Sequence, residues 1–370
     1  MAAPAAPPTA PPRLQGVDHL EWWVGGARAF AGFLISAFGF APVAYAGPET
    51  GRRDRVSYLL RQGGVQLLVS GALDPDSPIA AHVALHGDGV RDVAFLVDDV
   101  DEAHAAALAR GARSVRAPAD DTDEHGTVRH AAVATYGETV HTLLDRSRYD
   151  GPFAPWFAAT DLHDAPGPDV GLEGIDHVVG NVEKGTLDRW VAFYEEVFGF
   201  AQMTHFDDDQ ISTAHSALMS TVVWDGQSVV MPINEPADGL RKSQIEEYLD
   251  AYGSPGVQHI ALATSDIVAT VRALAARGVR TMTVPDTYYE EARERMAGID
   301  LPWAALEELG ILVDRDEHGH LLQIFTETVT DRPTVFFEII ERRGATGFGE
   351  GNFKALFEAI EREQAKRGNL

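Results

Sequence analysis

The sequence contains no cysteine. This absence excludes disulfide bonds, thiolate metal ligands and a cysteine nucleophile. Any metal site in the chain must therefore use histidine, aspartate or glutamate side chains. Cationic side chains are also scarce, because 30 Lys and Arg stand against 56 Asp and Glu, giving a net charge of −26. This excess of negative charge disfavours nucleic acid and anionic membrane surfaces as partners.

Long apolar segments are missing as well. No apolar run approaches the roughly 20 residues that a membrane span requires. Residues 1–14 are rich in Ala and Pro and lack an apolar signal core, so we predict a disordered tail rather than a signal peptide. We therefore expect a cytoplasmic protein. A chain of 370 residues that is 45% hydrophobic is long enough for two domains, each with its own core.

Internal repetition is the main positive feature of the sequence. The segment Gly16–Leu20 (GVDHL) recurs as Gly174–Val178 (GIDHV), and Gly89–Phe95 (GVRDVAF) recurs as Gly256–Leu262 (GVQHIAL). Strand-like runs alternate with helix-like runs that end at glycine. These patterns predict an α+β protein in which two similar halves each contain two modules rich in β–α–β units.

The repeat also sets the expected domain boundaries. We expect an N-terminal domain over 15–150, a linker over 151–170 that is rich in Pro, Gly, Asp and Ala, and a second domain over 171–345. Residues 346–370 lie outside the repeat. Their apolar residues Phe353, Leu356, Phe357 and Ile360 have helical spacing, which predicts a C-terminal helix packed on the rest of the protein.

Three residues of the second half could form a metal site. His177, His259 and Glu338 lie in successive strands of the repeat, and their counterparts in the first half are His19, Asp92 and Thr142. Two histidines and one carboxylate leave coordination positions open, which suits Fe(II) that must bind a substrate and O₂ together. Since Thr142 cannot replace a carboxylate ligand, we interpret the first half as incomplete and His19 as structural.

A structural role for the same residues must be weighed against a metal site. A histidine near a strand end is usually a hydrogen-bonded structural residue. Glu338 lies among apolar residues, and burying it without a partner costs several kcal/mol. A buried ion pair, for example with Arg342, is therefore the alternative to a metal ligand.

Further polar and aromatic residues share strand faces with this set. Because side chains alternate along a strand, Gln323 lies on one face with Phe325, and Phe336 on one face with Glu338. Ser220 and Asn234 lie on two neighbouring predicted strands. Together they could line a small pocket for an aromatic substrate with a hydroxyl group. The alternative is that each faces water as an ordinary strand residue.

Long stretches of the chain also resemble one known family. The resemblance is close over 171–370, in GIDHVVGNVE, PINEPADGLRKSQIEEY, GVQHIAL, LLQIFTETVTDRPTVFFEIIERR and GFGEGNFKALFEAIEREQ, and looser over 16–150. In these stretches the chain resembles the 4-hydroxyphenylpyruvate dioxygenase family of the vicinal oxygen chelate superfamily. The resemblance implies two duplicated vicinal-oxygen-chelate domains, each of two βαβββ modules, followed by a C-terminal helix that gates the active site.

The same resemblance implies a reaction and a site. The reaction converts 4-hydroxyphenylpyruvate and O₂ to homogentisate and CO₂ in tyrosine catabolism, and we expect a homo-oligomer, either a dimer or a tetramer. The resemblance implies Fe(II) bound by His177, His259 and Glu338. It also implies a substrate pocket formed by Ser220, Asn234, Gln244, Gln258, Gln323, Phe325, Phe336, Phe348, Asn352 and Phe353. Strict alternation would point Gln258 away from His259, and a bulge in the strand would reconcile the two.

Three alternatives remain open at this point. A 4-hydroxymandelate synthase shares the fold, iron and substrate but hydroxylates the benzylic carbon. At positions 234 and 353, however, this sequence has Asn234 and Phe353, which match the dioxygenase and not the synthase. A non-catalytic binding or resistance protein on the same scaffold usually lacks a full metal triad. An extradiol dioxygenase shares the triad but lacks the PINEP and GFGEGNF stretches.

Overall fold

The computed structural model describes most of the chain. The described residues are 9–160, 168–206, 218–237, 239, 242–285 and 287–352, together with 360, 361, 364, 365, 367 and 368. Twelve of the 25 residues of the expected C-terminal segment 346–370, including Phe353, lie outside the described residues, as do 1–8 of the expected tail and 161–167 of the expected linker. Within the described ranges, no helix combines the length and apolar character needed to span a bilayer.

The first half consists of two βαβββ modules joined by a helix, α2. Their elements are β1 (Leu14–Trp23), α1 (Ala27–Phe38), β2 (Ala41–Ala46), β3 (Arg55–Gln62), β4 (Val65–Ala72), α2 (Pro78–His86), β5 (Gly89–Val97), α3 (Val100–Ala109), β6 (Ser114–Asp123), β7 (Gly126–Ala134) and β8 (Val140–Tyr149). A two-residue strand, β9 (Ala158–Ala159), follows within the expected linker and pairs with β2.

The second half repeats this order, with two extra helices in its last module. Its elements are β10 (Gly174–Asn181), α4 (Leu187–Phe193), β11 (Ala201–Phe206), β12 (Leu218–Trp224), β13 (Val230–Pro236), α5 (Gln244–Tyr252), β14 (Gly256–Ala263), α6 (Ile267–Ala276), α7 (Thr287–Arg295), α8 (Trp303–Leu309), β15 (Leu312–Arg315), β16 (His320–Phe325) and β17 (Phe336–Arg343). A single π-helical turn, Tyr194–Phe198, extends α4. The duplication predicted from the sequence is confirmed, with α2 and α5 as equivalent connectors.

Each half forms one sheet from its two modules. The strand order is β6-β7-β8-β5-β1-β4-β3-β2-β9 in the first sheet and β11-β12-β13-β10-β14-β17-β16-β15 in the second. The first strands of the two modules pair antiparallel at the centre, β1 with β5 and β10 with β14. Each also pairs in parallel with the last strand of its own module, so β13, β10, β14 and β17 lie side by side.

The helix of the first module in each half, α1 or α4 with its π-helical turn, ends in the same way. Gly39 and Gly199 adopt left-handed backbone conformations, with φ of 74° and 71°, and follow Phe38 and Phe198. Glycine adopts this conformation without a steric penalty, so it ends the helix and turns the chain back towards the sheet. The repeated Phe–Gly–Phe therefore marks the same helix end in both halves.

The two halves share a continuous apolar core. Phe337 on β17 packs against Phe38 and Trp22 of the first half, with ring centroids 4.9 and 6.0 Å apart. Each such aromatic pair contributes about 1 kcal/mol beyond its buried area. Because side chains alternate along β17, Phe337 points into this core while Glu338 points to the opposite face. The first half thus supports the strand that carries the carboxylate.

Candidate metal centre

Three neighbouring strands bring the predicted ligands together. Ala261 on β14 pairs with His177 on β10 and with Glu338 on β17, and His259 lies two residues before it. The small Ala261 side chain leaves space between its two neighbours. Nε2 of His177 lies 3.2 Å from Oε2 of Glu338, and Nε2 of His259 lies 3.5 Å from the same oxygen. All three side chains are buried.

A register shift precedes each histidine. The pairing of β10 with β14 shifts at Asp176 and again at Gln258. Asp176 accepts a hydrogen bond of 2.7 Å from Nδ1 of His177, and the Gln258 amide oxygen accepts one of 3.0 Å from Nδ1 of His259. Consecutive side chains of a regular strand point to opposite faces, so these contacts require the bulges. The bulge expected at Gln258 is present.

These hydrogen bonds fix the tautomer of both imidazoles. A carboxylate or an amide oxygen only accepts, so each Nδ1 carries the hydrogen and each Nε2 presents its lone pair to the centre. Such partners hold ligand rings in position and raise their basicity. The donor set of two imidazole nitrogens and one carboxylate oxygen, all within 4.8 Å of one another, fits a divalent transition metal.

Arg342 pairs with Asp176 rather than with Glu338. Its guanidinium forms two hydrogen bonds with Asp176, of 2.7 and 2.8 Å. The partly buried ion pair of Arg342 is therefore formed with Asp176, the residue that contacts His177, and not with Glu338. Burial opposes ionisation of Asp176, but Arg342 and His177 together hold the pKa of this carboxyl well below its usual range.

The ligands influence one another electrostatically. Burial alone lowers the pKa of His177, but the carboxylates of Glu338 and Asp176 raise it to about 9. Burial raises the pKa of Glu338, and the two histidines outweigh that effect and lower it. Burial also lowers the pKa of His259. A proton and a metal ion therefore compete for Nε2 of His177.

The first half keeps the scaffold without the ligand set. Asp18 accepts a hydrogen bond of 2.6 Å from Nδ1 of His19 and pairs with Arg146, as Asp176 does with His177 and Arg342. Asp92, however, accepts hydrogen bonds from the amide and hydroxyl of Thr142. The positions equivalent to His259 and Glu338 thus satisfy each other, which agrees with an incomplete site.

The residues predicted to bind substrate fall into three groups. The rings of Phe336 and Phe325 lie 4.8 and 6.1 Å from His259, and Phe348 lies 5.3 Å from His177. Ser220 and Asn234 pair across β12 and β13, and both are largely buried. The remaining described residues of the prediction are buried amides: Gln244, Gln258, Gln323 and Asn352.

Three of these amides lie in two different places in the second half: Gln244 and Gln258 at a cleft, and Asn352 beside Tyr288. Gln244, Gln258 and Phe336 line one cleft of about 290 Å³ with Ile360 from the C-terminal segment. Asn352 accepts a hydrogen bond of 2.5 Å from the Tyr288 hydroxyl, and its buried Nδ2 has no hydrogen-bond partner among the described residues. Phe353 lies outside the described residues.

Sequence reasoning missed the residues that orient the ligands. The sequence patterns include Asp176 only as part of a repeated frame, and Arg342 only as an alternative partner for Glu338. A signal was present, because each half has Asp–His in its first strand and an arginine near the end of its last strand. The recurrence of these three residues at equivalent strand positions in both halves could have predicted the Asp–His–Arg cluster.

Paired βαβββ modules with a His–His–Glu set on adjacent central strands define a metal-dependent enzyme of the vicinal oxygen chelate type. In agreement, residues 174–324 match the Glyoxalase/Bleomycin resistance protein/Dioxygenase superfamily, and 9–154 match the N-terminal domain of hydroxyphenylpyruvate dioxygenase. The chain is 48% identical to 4-hydroxyphenylpyruvate dioxygenase of Yarrowia lipolytica, covering 96% of this chain and 94% of the relative. The chain belongs to the 4-hydroxyphenylpyruvate dioxygenase family.

Two further proteins are similar to this chain over nearly its full length. The 4-hydroxyphenylpyruvate dioxygenase of Dictyostelium discoideum is 46% identical, over 96% of this chain and all of the relative. Among solved structures, a triple mutant of 4-hydroxymandelate synthase from Streptomyces coelicolor is 37% identical, with a TM-score of 0.85, over 96% of this chain and all of that one.

Proposed function

We propose that this protein is an Fe(II)-dependent dioxygenase that converts 4-hydroxyphenylpyruvate and O₂ to homogentisate and CO₂ in tyrosine and phenylalanine catabolism. The observation that carries the proposal is the pair of Nε2 atoms facing one oxygen of Glu338, with both Nδ1 atoms engaged elsewhere. Fe(II) held by His177, His259 and Glu338 would supply the redox chemistry and open positions for a 2-oxo acid and O₂.

The protein's own contribution is orientation and exclusion of water. Asp176 and Gln258 keep the two imidazoles in the ligating tautomer throughout the reaction. Phe325, Phe336 and Phe348 form aromatic walls around the ligands, which favour an aromatic substrate and a dry site. With a net charge of −26, the protein leaves the charge of the anionic substrate to be balanced locally by the metal.

The polar substrate contacts are proposed from the resemblance and their burial. Ser220, Asn234, Gln244, Gln258, Gln323 and Asn352 would orient the oxygen atoms of the substrate, with Phe353 completing the pocket. Buried amides without a partner are costly, so the Nδ2 of Asn352, which has no hydrogen-bond partner among the described residues, supports a ligand nearby.

The test combines O₂ uptake with product analysis. Metal-free protein is supplied with Fe(II), ascorbate and 4-hydroxyphenylpyruvate, and we expect O₂ uptake with release of homogentisate. His259→Ala should abolish uptake. His19→Ala is the matched control because it removes a histidine with the same local frame, and uptake should persist in it. Uptake that survives His259→Ala would overturn the triad.

A second candidate is 4-hydroxymandelate synthase activity, favoured by the similarity to the Streptomyces coelicolor synthase. The two products are isomers, so they must be separated by NMR or chromatography against standards. Release of 4-hydroxymandelate as the main product would replace the first proposal. The proposed homo-oligomer, a dimer or tetramer, is tested separately by light scattering on the eluting protein.

A further inference from the structure

A second cluster of potential ligands lies in the first half, away from the His–His–Glu centre. His82 and His86 are four residues apart on α2, so their rings lie on one face of that helix. Glu138 approaches them from the turn between β7 and β8. One donor atom from each of the three side chains lies within 4.8 Å of the other two.

The tautomer of His86 is fixed by a backbone group of the other half. Its Nδ1 lies 2.6 Å from the carbonyl oxygen of Tyr252, which can only accept a hydrogen bond. Nδ1 therefore carries the hydrogen, and in the neutral ring Nε2 presents a lone pair. This Nε2 is buried, has no hydrogen-bond partner among the described residues, and lies 3.3 Å from Oε2 of Glu138. Two acceptors that face each other require either a proton or a metal cation between them, and metal binding is the test that separates the two.

His82 converges on the same carboxylate oxygen. Its Nδ1 lies 3.3 Å from Oε2 of Glu138, while its Nε2 lies 3.4 Å from the Tyr252 hydroxyl. Bonds of about 2.1 Å in a tetrahedral site place neighbouring donor atoms about 3.4 Å apart. Both nitrogen–oxygen separations thus match a single ion bound by all three side chains.

The surroundings hold the carboxylate in place and leave a route for an ion. Arg91 donates a hydrogen bond to the backbone oxygen of Glu138 and lies over the ring of Trp23, so it fixes the turn. Among the described residues, the ion-pair contacts of the Glu138 carboxylate are with the two histidines. Its side chain is 49% exposed and borders an open cleft of about 410 Å³. Water from this cleft can supply the remaining ligand.

We propose that His82, His86 and Glu138 form a second metal site, which binds a divalent ion of the zinc class with water as fourth ligand. Two imidazoles and one carboxylate form a borderline donor set that suits Zn²⁺. The site is structural: it ties α2 to the β7–β8 turn, and through the hydrogen bond of His86 it anchors both to the end of α5 in the other half. It does not depend on the proposed reaction.

Metal stoichiometry of the full-length protein tests this site. Metal-free wild-type protein is dialysed against Zn²⁺, and bound metal is measured; we expect two equivalents. The His177→Ala, His259→Ala double variant should retain one equivalent, since only the first centre is lost. Adding Glu138→Gln to that background should weaken the remaining binding at least tenfold. Co²⁺ provides a second readout, through the visible absorption of a tetrahedral complex.

The controls separate a metal site from a hydrogen-bonded cluster. Asp121→Asn disrupts another histidine–carboxylate pair, with His130 at 3.1 Å, and should leave Zn²⁺ binding unchanged. Glu138 is partly exposed, so its variant should fold, which thermal unfolding verifies. A single equivalent in the wild type with none in the double variant would overturn the proposal. Unchanged Zn²⁺ affinity after Glu138→Gln would overturn it as well.

Discussion

Asp176 accepts a hydrogen bond of 2.7 Å from Nδ1 of His177, although the two residues are adjacent in one strand. A register shift between β10 and β14 makes the contact possible, and Arg342 anchors the carboxylate from β17. The ligand ring is thus fixed by a side chain from its own strand and a cation from the strand of Glu338. Orientation of the ligand depends on a three-strand network.

This network predicts a loss of metal affinity when Asp176 is replaced. Asp176→Asn keeps the size of the side chain but removes the charge that pairs with Arg342 and orients His177. Changes of this type typically weaken metal binding about 10- to 100-fold. We expect a decrease in that range for Fe(II) or Co²⁺, measured by titration of the metal-free protein.

The duplicated half offers a matched control. Asp18→Asn breaks the equivalent contacts with His19 and Arg146, which serve no complete ligand set. It should lower the midpoint of thermal unfolding while the affinity of the His–His–Glu centre stays within about twofold. Equal losses of affinity in the two variants would contradict an orienting role for Asp176.

A related prediction concerns Gln258, which contacts a ligand and also lines the cleft beside it. Gln258→Leu removes the acceptor for Nδ1 of His259, so we expect metal affinity to fall about tenfold. Gln258→Glu keeps an acceptor and should retain most of the affinity. Titration with Co²⁺ measures both.

Gln244→Leu is the comparison for this prediction, because Gln244 lines the same cleft from α5 rather than from a ligand strand. It should raise KM for 4-hydroxyphenylpyruvate and leave metal affinity unchanged. If Gln258→Leu behaves in the same way as Gln244→Leu, Gln258 contacts substrate without orienting the metal ligand.

The duplication and the grouping of His177, His259 and Glu338 could be predicted because they depend on local signals. Repeated pentapeptides mark equivalent strands, and a carboxylate in an apolar strand such as Glu338 needs a partner. The bulge at Gln258 followed from a conflict between strand alternation and the expected role. At Asp176 strand alternation conflicts with no expected role, so the sequence does not predict the bulge there.

Contacts between the halves could not be predicted in the same way. Phe38 packs on Phe337, and His86 binds the backbone of Tyr252, although the two pairs are about 300 and 166 residues apart in sequence. Such pairs are set by how two folded units fit together, and no short-range pattern in a single sequence encodes that fit. Within the second half, the partner of Arg342 could not be predicted either, because nearness to Glu338 in sequence does not determine which carboxylate the guanidinium reaches.

Arg332 is predicted to stabilise the contact between the halves. Its guanidinium donates hydrogen bonds to the backbone oxygens of Leu85 at 2.5 Å and Ala251 at 3.0 Å, near the ends of α2 and α5. A cation at the C-terminal ends of two helices also interacts favourably with their dipoles. Arg332→Ala should therefore lower the free energy of unfolding by about 2 kcal/mol, seen as a lower midpoint of urea unfolding.

Arg280→Ala is the control, because it removes an arginine whose side chain is 80% exposed. It should change the free energy of unfolding by less than about 0.5 kcal/mol. Equal shifts would contradict the role of Arg332.

His141 is predicted to make the protein sensitive to mild acid. The ring is fully buried between the halves, where its Nδ1 donates to the carbonyl oxygen of Val93 and its Nε2 contacts the Tyr194 hydroxyl at 2.8 Å. Burial lowers the pKa of His141 from 6.5 to about 4. Between these values the unfolded chain binds a proton that the folded chain does not, so stability falls as the pH falls from 6.5 towards 4. The full shift corresponds to about 3 kcal/mol.

Replacing His141 should reduce this sensitivity. His141→Gln removes the titrating group, and we expect the variant to lose about 3 kcal/mol less stability than the wild type between pH 7 and pH 4. At pH 7 the variant should be less stable, because glutamine does not reproduce both hydrogen bonds. The midpoints of urea unfolding of the metal-free proteins at pH 7, 5.5 and 4 measure both effects. His125→Gln, which removes a histidine whose side chain is 47% exposed, should keep the wild-type dependence on pH. If the unfolding midpoints of His141→Gln and the wild type change with pH in parallel, His141 is not the group that makes stability depend on pH. The proton that the unfolded chain takes up must then bind at another residue.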